Sequence, residues 1–318
     1  MLYTWILCLL LVLAGSSTSL LPAQKGQDTQ EAAPLHLTFK WPLRKKFKVT
    51  VDADFSGGSM VMRTTYRLDK EKKGDRFVLT TEKCKVVKAD LGSVKDVSKE
   101  DRRQALGMLE ALALAVPPVY LNTKGEVVDV GVLDADLIAS AVSKLSPSLK
   151  KDKQFKKLLK AILSSPQMRE SQRAQMLDSM EPWVGYWRYA EGLKPGESAE
   201  FESEPAEDDK DFVSDEIKAT YVGPAKKRGC VKIVIDSVHR SKDGSGKAAT
   251  LLKSVFRARP ELREKLKLTT VNRHTEGVLR PQTFQPYEIV ETTTLVAEFT
   301  DGIEPIRTSS KTTTTFKW

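Results

Sequence analysis

The chain has 318 residues, of which 40% are hydrophobic, and a formal net charge of +9. This hydrophobic content is ordinary for a packed globular protein and excludes a largely disordered chain. The positive charge is compatible with anionic lipid head groups, although lysines spread over a solvated surface explain it more simply. The lysines are scattered through turns without an aromatic-basic strand motif, so we expect no nucleic-acid partner.

Residues 1–23 contain no charged side chain, and an apolar run over residues 5–14 is followed by small polar residues. This order predicts a secretory signal peptide, because the run is too short for a comfortable transmembrane helix. An uncleaved membrane anchor is the alternative, since the usual positive charges at the start are missing. We therefore expect an extracytoplasmic protein, periplasmic or secreted, whose membrane contact is at most peripheral.

Residues 24–36 are predicted to form a flexible linker. Apolar and polar residues alternate over residues 47–55, which predicts a strand with one buried face. The alternation resumes over residues 60–68, and a further strand is predicted over residues 76–87. Together these strands predict a three-stranded antiparallel meander.

Helices are predicted to interrupt the strands. Helical windows cover about residues 100–115, a stretch ending at Lys144, and residues 167–180, which lead to an aromatic cluster. The clearest helix is amphipathic, with lysines around a single apolar face that we expect to pack on a sheet; lying on an anionic membrane is the alternative. That face consists of Phe155, Leu158, Leu159, Ile162 and Leu163. The aromatic cluster consists of Trp183, Tyr186, Trp187 and Tyr189.

The carboxyl end predicts a hairpin, with strands over residues 289–299 and 306–318 around a turn at Asp301 and Gly302. Its threonines, within 292–294 and 312–315, suit strands with a solvated face, and we expect Trp318 to tie the end into the sheet. An acidic run over residues 197–216 lacks the central glycine of a calcium loop, so it predicts a solvated hairpin.

Each half repeats, in one order, a tyrosine strand, a lysine-rich turn, an apolar segment ending in proline and an asparagine strand. This order favours a duplication; the alternative is that exported β-rich chains all reuse Lys-Gly turns. The predicted fold class is α+β, with two β-rich antiparallel meander halves, packed helices and a helical connector. The halves are assigned to residues 37–140 and 183–318, with the connector at 141–182.

No catalytic motif is present. None of the three histidines pairs with another at metal-ligand spacing, and both the Gly-x-Ser-x-Gly elbow and the phosphate-binding glycine loop are missing. His274 with Glu276 could form an acid-base pair, but a solvated turn explains them better. We therefore predict a protein that is not an enzyme and holds no cofactor or metal. Two cysteines outside the leader, Cys84 and Cys230, permit one disulfide; two buried free thiols are the alternative.

Four segments of the chain carry a resemblance: the strand over residues 46–51, the strand of Tyr66, the turn and strand over residues 122–127, and the threonine-rich terminal hairpin. In these segments the chain resembles a family of exported bacterial β-rich proteins of unknown function. More loosely, a curved antiparallel sheet backed by helices is similar to the half-barrel lipid and lipoprotein carriers of the bacterial envelope. The resemblance implies no catalytic residues.

Two functions remain for such a fold. The first is binding of an amphiphile or lipid-like ligand between sheet and helices, and its candidate lining residues are Met60, Met62, Phe155 and Leu159. The second is an envelope scaffold or protein-protein interaction module with a filled core. The two hypotheses differ in cavity volume, since a carrier needs an apolar cavity.

Overall fold

The structure is a computed structural model. It describes residues 33–55, 58–72, 74–90, 113–132, 179–203, 212–242 and 259–318, together with individual residues within 103–110, 136–138, 173–177 and 252–256. Across these ranges the chain forms one antiparallel sheet of eleven strands. The strands are β1 (Lys46–Phe55), β2 (Gly58–Lys70), β3 (Phe77–Asp90), β4 (Val119–Leu121), β5 (Val127–Val130), β6 (Ser198–Ser203), β7 (Phe212–Pro224), β8 (Val231–Ser241), β9 (Leu266–Arg280), β10 (Gln285–Phe299) and β11 (Ile306–Lys317).

The order of strands across the sheet is β5-β4-β3-β2-β1-β11-β10-β9-β8-β7-β6. The last strand, β11, pairs with the first, β1, so that Val51 lies opposite Thr314. Because this pairing joins the amino-terminal meander to the carboxyl-terminal one, the two parts of the chain share a single hydrogen-bonded ladder. The predicted α+β class, with two β-rich halves and packed helices, is wrong. The fold is mostly β, because the strands predominate among the described residues and all of them belong to one sheet. The apolar face predicted for the connector helix lies outside the described residues.

Three of the local predictions are confirmed. β1, β2 and β3 form the expected meander, with Val49 opposite Thr64 and Thr64 opposite Cys84. β10 and β11 form the expected terminal hairpin, and Trp318 Nε1 donates a hydrogen bond to the Pro286 carbonyl at 2.7 Å. The acidic run also forms a hairpin, β6 with β7, whose connection at 204–211 lies outside the described residues.

Only some threonines of the terminal hairpin meet solvent, contrary to expectation: Thr315 is exposed, and Thr294 and Thr313 are half-buried. Thr292, Thr293, Thr312 and Thr314 are all buried. Threonine is β-branched and suits either face of a strand, so its presence does not indicate which face meets water. Thr293, Thr312 and Thr314 face inward, so the inward face of the sheet is more polar at its centre than the alternation predicted.

A short helical segment, Glu181–Gly185 continued by Tyr186–Ala190, lies against the inward face of the sheet; we call it the aromatic segment. The centroid of the Trp183 ring lies 5.2 Å from the ring centroid of Tyr66 on β2 and 5.0 Å from that of Phe316 on β11. Trp187 lies against Gly277 on β9, where a Cβ atom would stand 2.3 Å from the indole. Residues from the middle of the sheet therefore converge on this segment.

Both edges of the sheet also reach the aromatic segment. The ring centroids of Tyr189 and of Phe201, on edge strand β6, lie 4.9 Å apart. Arg188 Nε lies 3.9 Å from Oε1 of Glu126, the residue before edge strand β5. Eleven strands at a spacing of about 4.8 Å would hold the edges of a flat sheet roughly 48 Å apart. The sheet is therefore strongly curved, and its concave face wraps the aromatic segment.

The residues before β1 complete the core. Leu35, which falls in the predicted linker, is buried, and its N–H donates to the Leu193 carbonyl at 2.8 Å. Trp41 is buried as well, and its Nε1 donates to the Phe284 carbonyl at 2.7 Å. Among the described residues, no helix has the length and apolar character needed to cross a membrane. The predicted signal peptide lies outside them.

Candidate ligand-binding site

A cavity of about 170 Å³ lies between the concave face and the aromatic segment; we call it the inner cavity. Its floor comes from β1, β2, β3, β9, β10 and β11, and its cover from residues 113–119, 176 and 179–183. Every second residue along each of these strands faces inward, and these residues supply a mostly apolar floor, as expected for a sheet with one buried face. Apolar lining residues include Val51, Met62, Leu79, Val116, Met176 and Ile289.

One wall of the inner cavity carries a buried ion pair. Arg273 Nε lies 3.7 Å from Glu291 Oε1, and the two side chains are only 7% and 10% exposed. Arg273 Nη1 also donates to the Tyr186 hydroxyl of the aromatic segment at 2.6 Å. A buried charge is tolerated when it is paired and hydrogen-bonded, and this guanidinium has both kinds of partner.

Three threonine hydroxyls surround this pair. Thr275, Thr293 and Thr312 are buried, and the Oγ1 atom of each has no hydrogen-bond partner among the described residues. The sheet register explains their proximity: Glu291 lies directly opposite both Thr275 and Thr312, and Thr293 lies directly opposite Arg273. Residues directly opposite in a sheet share a face, with Cβ atoms about 5 Å apart. We call these five residues the polar cluster.

Tyr66 lines the inner cavity and Cys84 lies on β3 opposite the lining residue Thr64, and the pKa shifts of these two groups do not favour catalysis. Burial raises the pKa of Tyr66, so its phenol stays neutral. Burial also raises the pKa of Cys84, whose Sγ accepts a hydrogen bond from Thr64 Oγ1 at 3.6 Å. A thiol with a raised pKa is a poor nucleophile, because the thiolate is the reactive form.

Cys84 and Cys230 are both free thiols. Cys84 lies in β3 and Cys230 immediately precedes β8, and the strands β2, β1, β11, β10 and β9 stand between these two in the sheet. This arrangement agrees with the alternative of two unbonded thiols rather than with a disulfide. Burial raises the pKa of Cys230 as well.

A second, more open space lies where the two edges of the sheet approach each other; we call it the edge groove. Its volume is about 810 Å³. Val127 on β5 and Phe201 on β6 face it from the two edges, and Leu177, Val184 and Tyr189 form part of its floor. Met176, Met180 and Trp183 line the inner cavity instead, so residues 176, 177 and 179–184 lie between the two spaces.

His274 and Glu276 do not lie in a turn, as the sequence suggested, but within β9. His274 Nδ1 lies 2.6 Å from Asp236 on β8, and Nε2 lies 3.5 Å from Glu276. Lys232 Nζ lies 2.9 Å from Glu276. These side chains are 37–48% exposed on the convex face, away from both spaces, and form a ladder of alternating charge. They are not placed for acid-base chemistry on a ligand in the inner cavity.

Of the four predicted lining residues, Met62 lies in the wall of the inner cavity. Met60 is buried in a separate apolar cluster with Val86 and Ala89. Phe155 and Leu159 lie outside the described residues. Within the described part of the chain, no group of three or more histidine, cysteine, aspartate or glutamate side chains could hold a metal ion.

The polar cluster was not predicted. A signal for it exists in the sequence, because Arg273 lies two residues from Val271 and Glu291 lies two residues from Ile289, at positions that alternation turns inward. A charged residue at an inward position of a strand is uncommon enough to mark a candidate site.

Comparison with known proteins leaves the family open. No family model matches the chain, and no curated protein matches it. A solved structure of lipovitellin, described as concerning lipid–protein interactions, matches with a TM-score of 0.36 and 8% identity. The match covers 86% of this chain but only 25% of that one. A TM-score this low carries no argument about function.

Proposed function

We propose that this protein is a non-enzymatic binding protein for an amphiphile, whose apolar part occupies the inner cavity. The observation that supports the proposal is the combination, in one space, of an apolar floor, the buried ion pair of Arg273 and Glu291, and the Thr312 hydroxyl, which has no hydrogen-bond partner among the described residues. Ligand sites are mostly apolar with a few convergent polar groups, and the inner cavity has that composition.

The size of the inner cavity favours a narrow ligand. Its volume of about 170 Å³ is smaller than the roughly 300–1,000 Å³ of sites that enclose a whole drug-sized molecule. A single acyl or alkyl chain suits such a space better than a fused ring system, because a chain can enter end-on. We therefore propose a single-chain amphiphile.

Export is part of the proposal. It rests on the uncharged, apolar leader at residues 1–23 and on no other observation. A carboxy-tagged copy made in a bacterial host should be recovered outside the cytoplasm and shortened by about 20 residues. Full-length protein in the cytoplasm would contradict this part of the proposal alone.

Fluorescence quenching tests the binding proposal, because Trp183 lines the inner cavity. An undecanol brominated at its terminal carbon should quench tryptophan emission saturably. Trp183→Phe should remove most of that quenching while calorimetry still detects binding. Quenching that is unsaturable, or equal in the variant, would place the amphiphile elsewhere.

A cavity-filling variant gives the second arm of the test. Met62→Trp should weaken binding of the same alcohol at least tenfold in calorimetry, because the larger side chain occupies the cavity. Val87→Trp is the control, since Val87 lies on the neighbouring strand β3 and is 48% exposed. Circular dichroism checks that both variants fold. Absence of binding by the unsubstituted protein would contradict the proposal and favour an interaction module.

A further inference from the structure

We propose that the polar cluster binds an uncharged, hydroxyl-bearing head group, so that the ligand is a neutral single-chain amphiphile such as a long-chain alcohol or a monoacylglycerol. This inference rests on the proposed function and names the ligand class of the same cavity. It depends on the charge balance of the cavity wall and on the Thr312 hydroxyl in that wall, which has no hydrogen-bond partner among the described residues.

The first step concerns charge. Among the described residues that line the inner cavity, Arg273 and Glu291 are the charged ones, and they lie 3.7 Å apart as a pair of opposite sign. A carboxylate ligand would bring a second negative charge close to Glu291, and an ammonium ligand a second positive charge close to Arg273. In a buried site either charge would lose its hydration without gaining a partner of its own. The charge balance of the wall therefore favours a neutral head group.

The second step concerns the hydroxyls. Thr312 lines the inner cavity, is 8% exposed, and its Oγ1 has no hydrogen-bond partner among the described residues. Its neighbours across the register, Glu291 and then Thr275, continue the same row on β10 and β9. A buried polar atom without a hydrogen-bond partner destabilises the folded state. Such an atom in the wall of a cavity therefore points to a ligand group that acts as its hydrogen-bond partner.

The third step concerns the chemistry of the missing partner. A threonine hydroxyl can donate one hydrogen bond and accept others, and the carboxylate of Glu291 can only accept. A ligand hydroxyl fits this mixture, because it can donate to Glu291 and also accept from Thr312. An ester or ether oxygen can only accept, so it would satisfy the threonine without using the carboxylate.

Calorimetry on the full-length chain at pH 7.5 tests the inference with four probes of equal chain length: decanol, decanoate, decylammonium and decane. Decanol should bind about tenfold or more tightly than either charged probe, the ratio expected for one buried hydrogen bond or unpaired charge. Equal affinity for decanol and decanoate would overturn the inference while leaving the proposed function intact. Failure of all four probes to bind would instead overturn the proposed function.

A matched pair of variants isolates the hydroxyl. Thr312→Val keeps the shape of the side chain and should weaken decanol binding about fivefold to tenfold without weakening decane. Thr313→Val is the control, because the next residue on the same strand points to the other face. If Thr312→Val leaves decanol affinity unchanged, water rather than the ligand satisfies the hydroxyl, and the inference fails. If it weakens decane equally, packing is responsible, and the inference fails as well.

Discussion

Gly277 shows how a single residue positions the centre of the fold. A Cβ atom at this position would stand 2.3 Å from Cη2 of Trp187, and the indole is fully buried. Glycine is therefore required here for close approach rather than for an unusual backbone angle. The aromatic segment can lie on the sheet only because β9 has no side chain at this point.

We expect Gly277→Ala to lower the free energy of unfolding by about 1–3 kcal/mol, the usual effect of adding a methyl group to a filled core. Denaturation in urea, followed by circular dichroism, measures it. Gly107→Ala is the matched control, because a Cβ atom there meets nothing within 4 Å. Alanine also favours the helical conformation of residue 107, so this control should keep or raise stability. Equal effects of the two substitutions would contradict the packing described.

At the scale of elements, the convex face of β8 and β9 carries the charge ladder of Lys232, Glu276, His274 and Asp236. The hydrogen bond with Asp236 is the main cause that raises the pKa of His274, although burial opposes it, and Glu276 adds to the rise. Burial raises the pKa of Glu276, but hydrogen bonds from Lys232 and His274 outweigh it and lower that pKa overall. The ladder therefore favours a protonated His274 between two carboxylates.

This arrangement predicts a pH-dependent contribution to stability. Because the folded-state pKa of His274 is raised, its contribution is fully present below the unfolded value of about 6.5 and is lost as pH rises through the folded pKa. His274→Gln should therefore reduce the urea midpoint more at pH 5.5 than at pH 9. The effect should be small, since the side chain is 40% exposed and water screens the pair. A loss of equal size at both pH values would show that the imidazolium contributes nothing.

The elements differ in how far the sequence predicts them. The meander of β1–β3 and the hairpin of β10–β11 were predicted because short turns and period-two alternation are local signals. The pairing of β1 with β11 was not, because alternation indicates which face is buried but not which distant strand is the neighbour. The polar cluster was missed for the same reason: Arg273 and Glu291 lie on different strands and meet only through the register.

At the scale of the whole molecule, β11 holds the sheet together. It lies between β1 and β10, so within the ladder of described strands it is the strand that joins β1–β5 to β10–β6 by backbone hydrogen bonds. We expect removal of residues 306–318 to abolish cooperative unfolding, because two long strands lose their partners at once. Differential scanning calorimetry measures this loss. Thr315→Ala, an exposed substitution on the same strand, is the control and should leave a single transition. A cooperative transition in the truncated chain would contradict this view of the sheet.

The central position of β11 also bears on the timing of folding. A ribosome makes β1 before the other described strands and β11 after them, so about 250 residues are synthesised between these two partners. Contacts between such distant parts of a chain form slowly. Until β11 emerges, β1 and β10 each present an unpaired edge, and such edges can pair with neighbouring chains. The danger of aggregation is therefore greatest after β10 has been made and before β11 follows it, when the sheet still has a gap one strand wide.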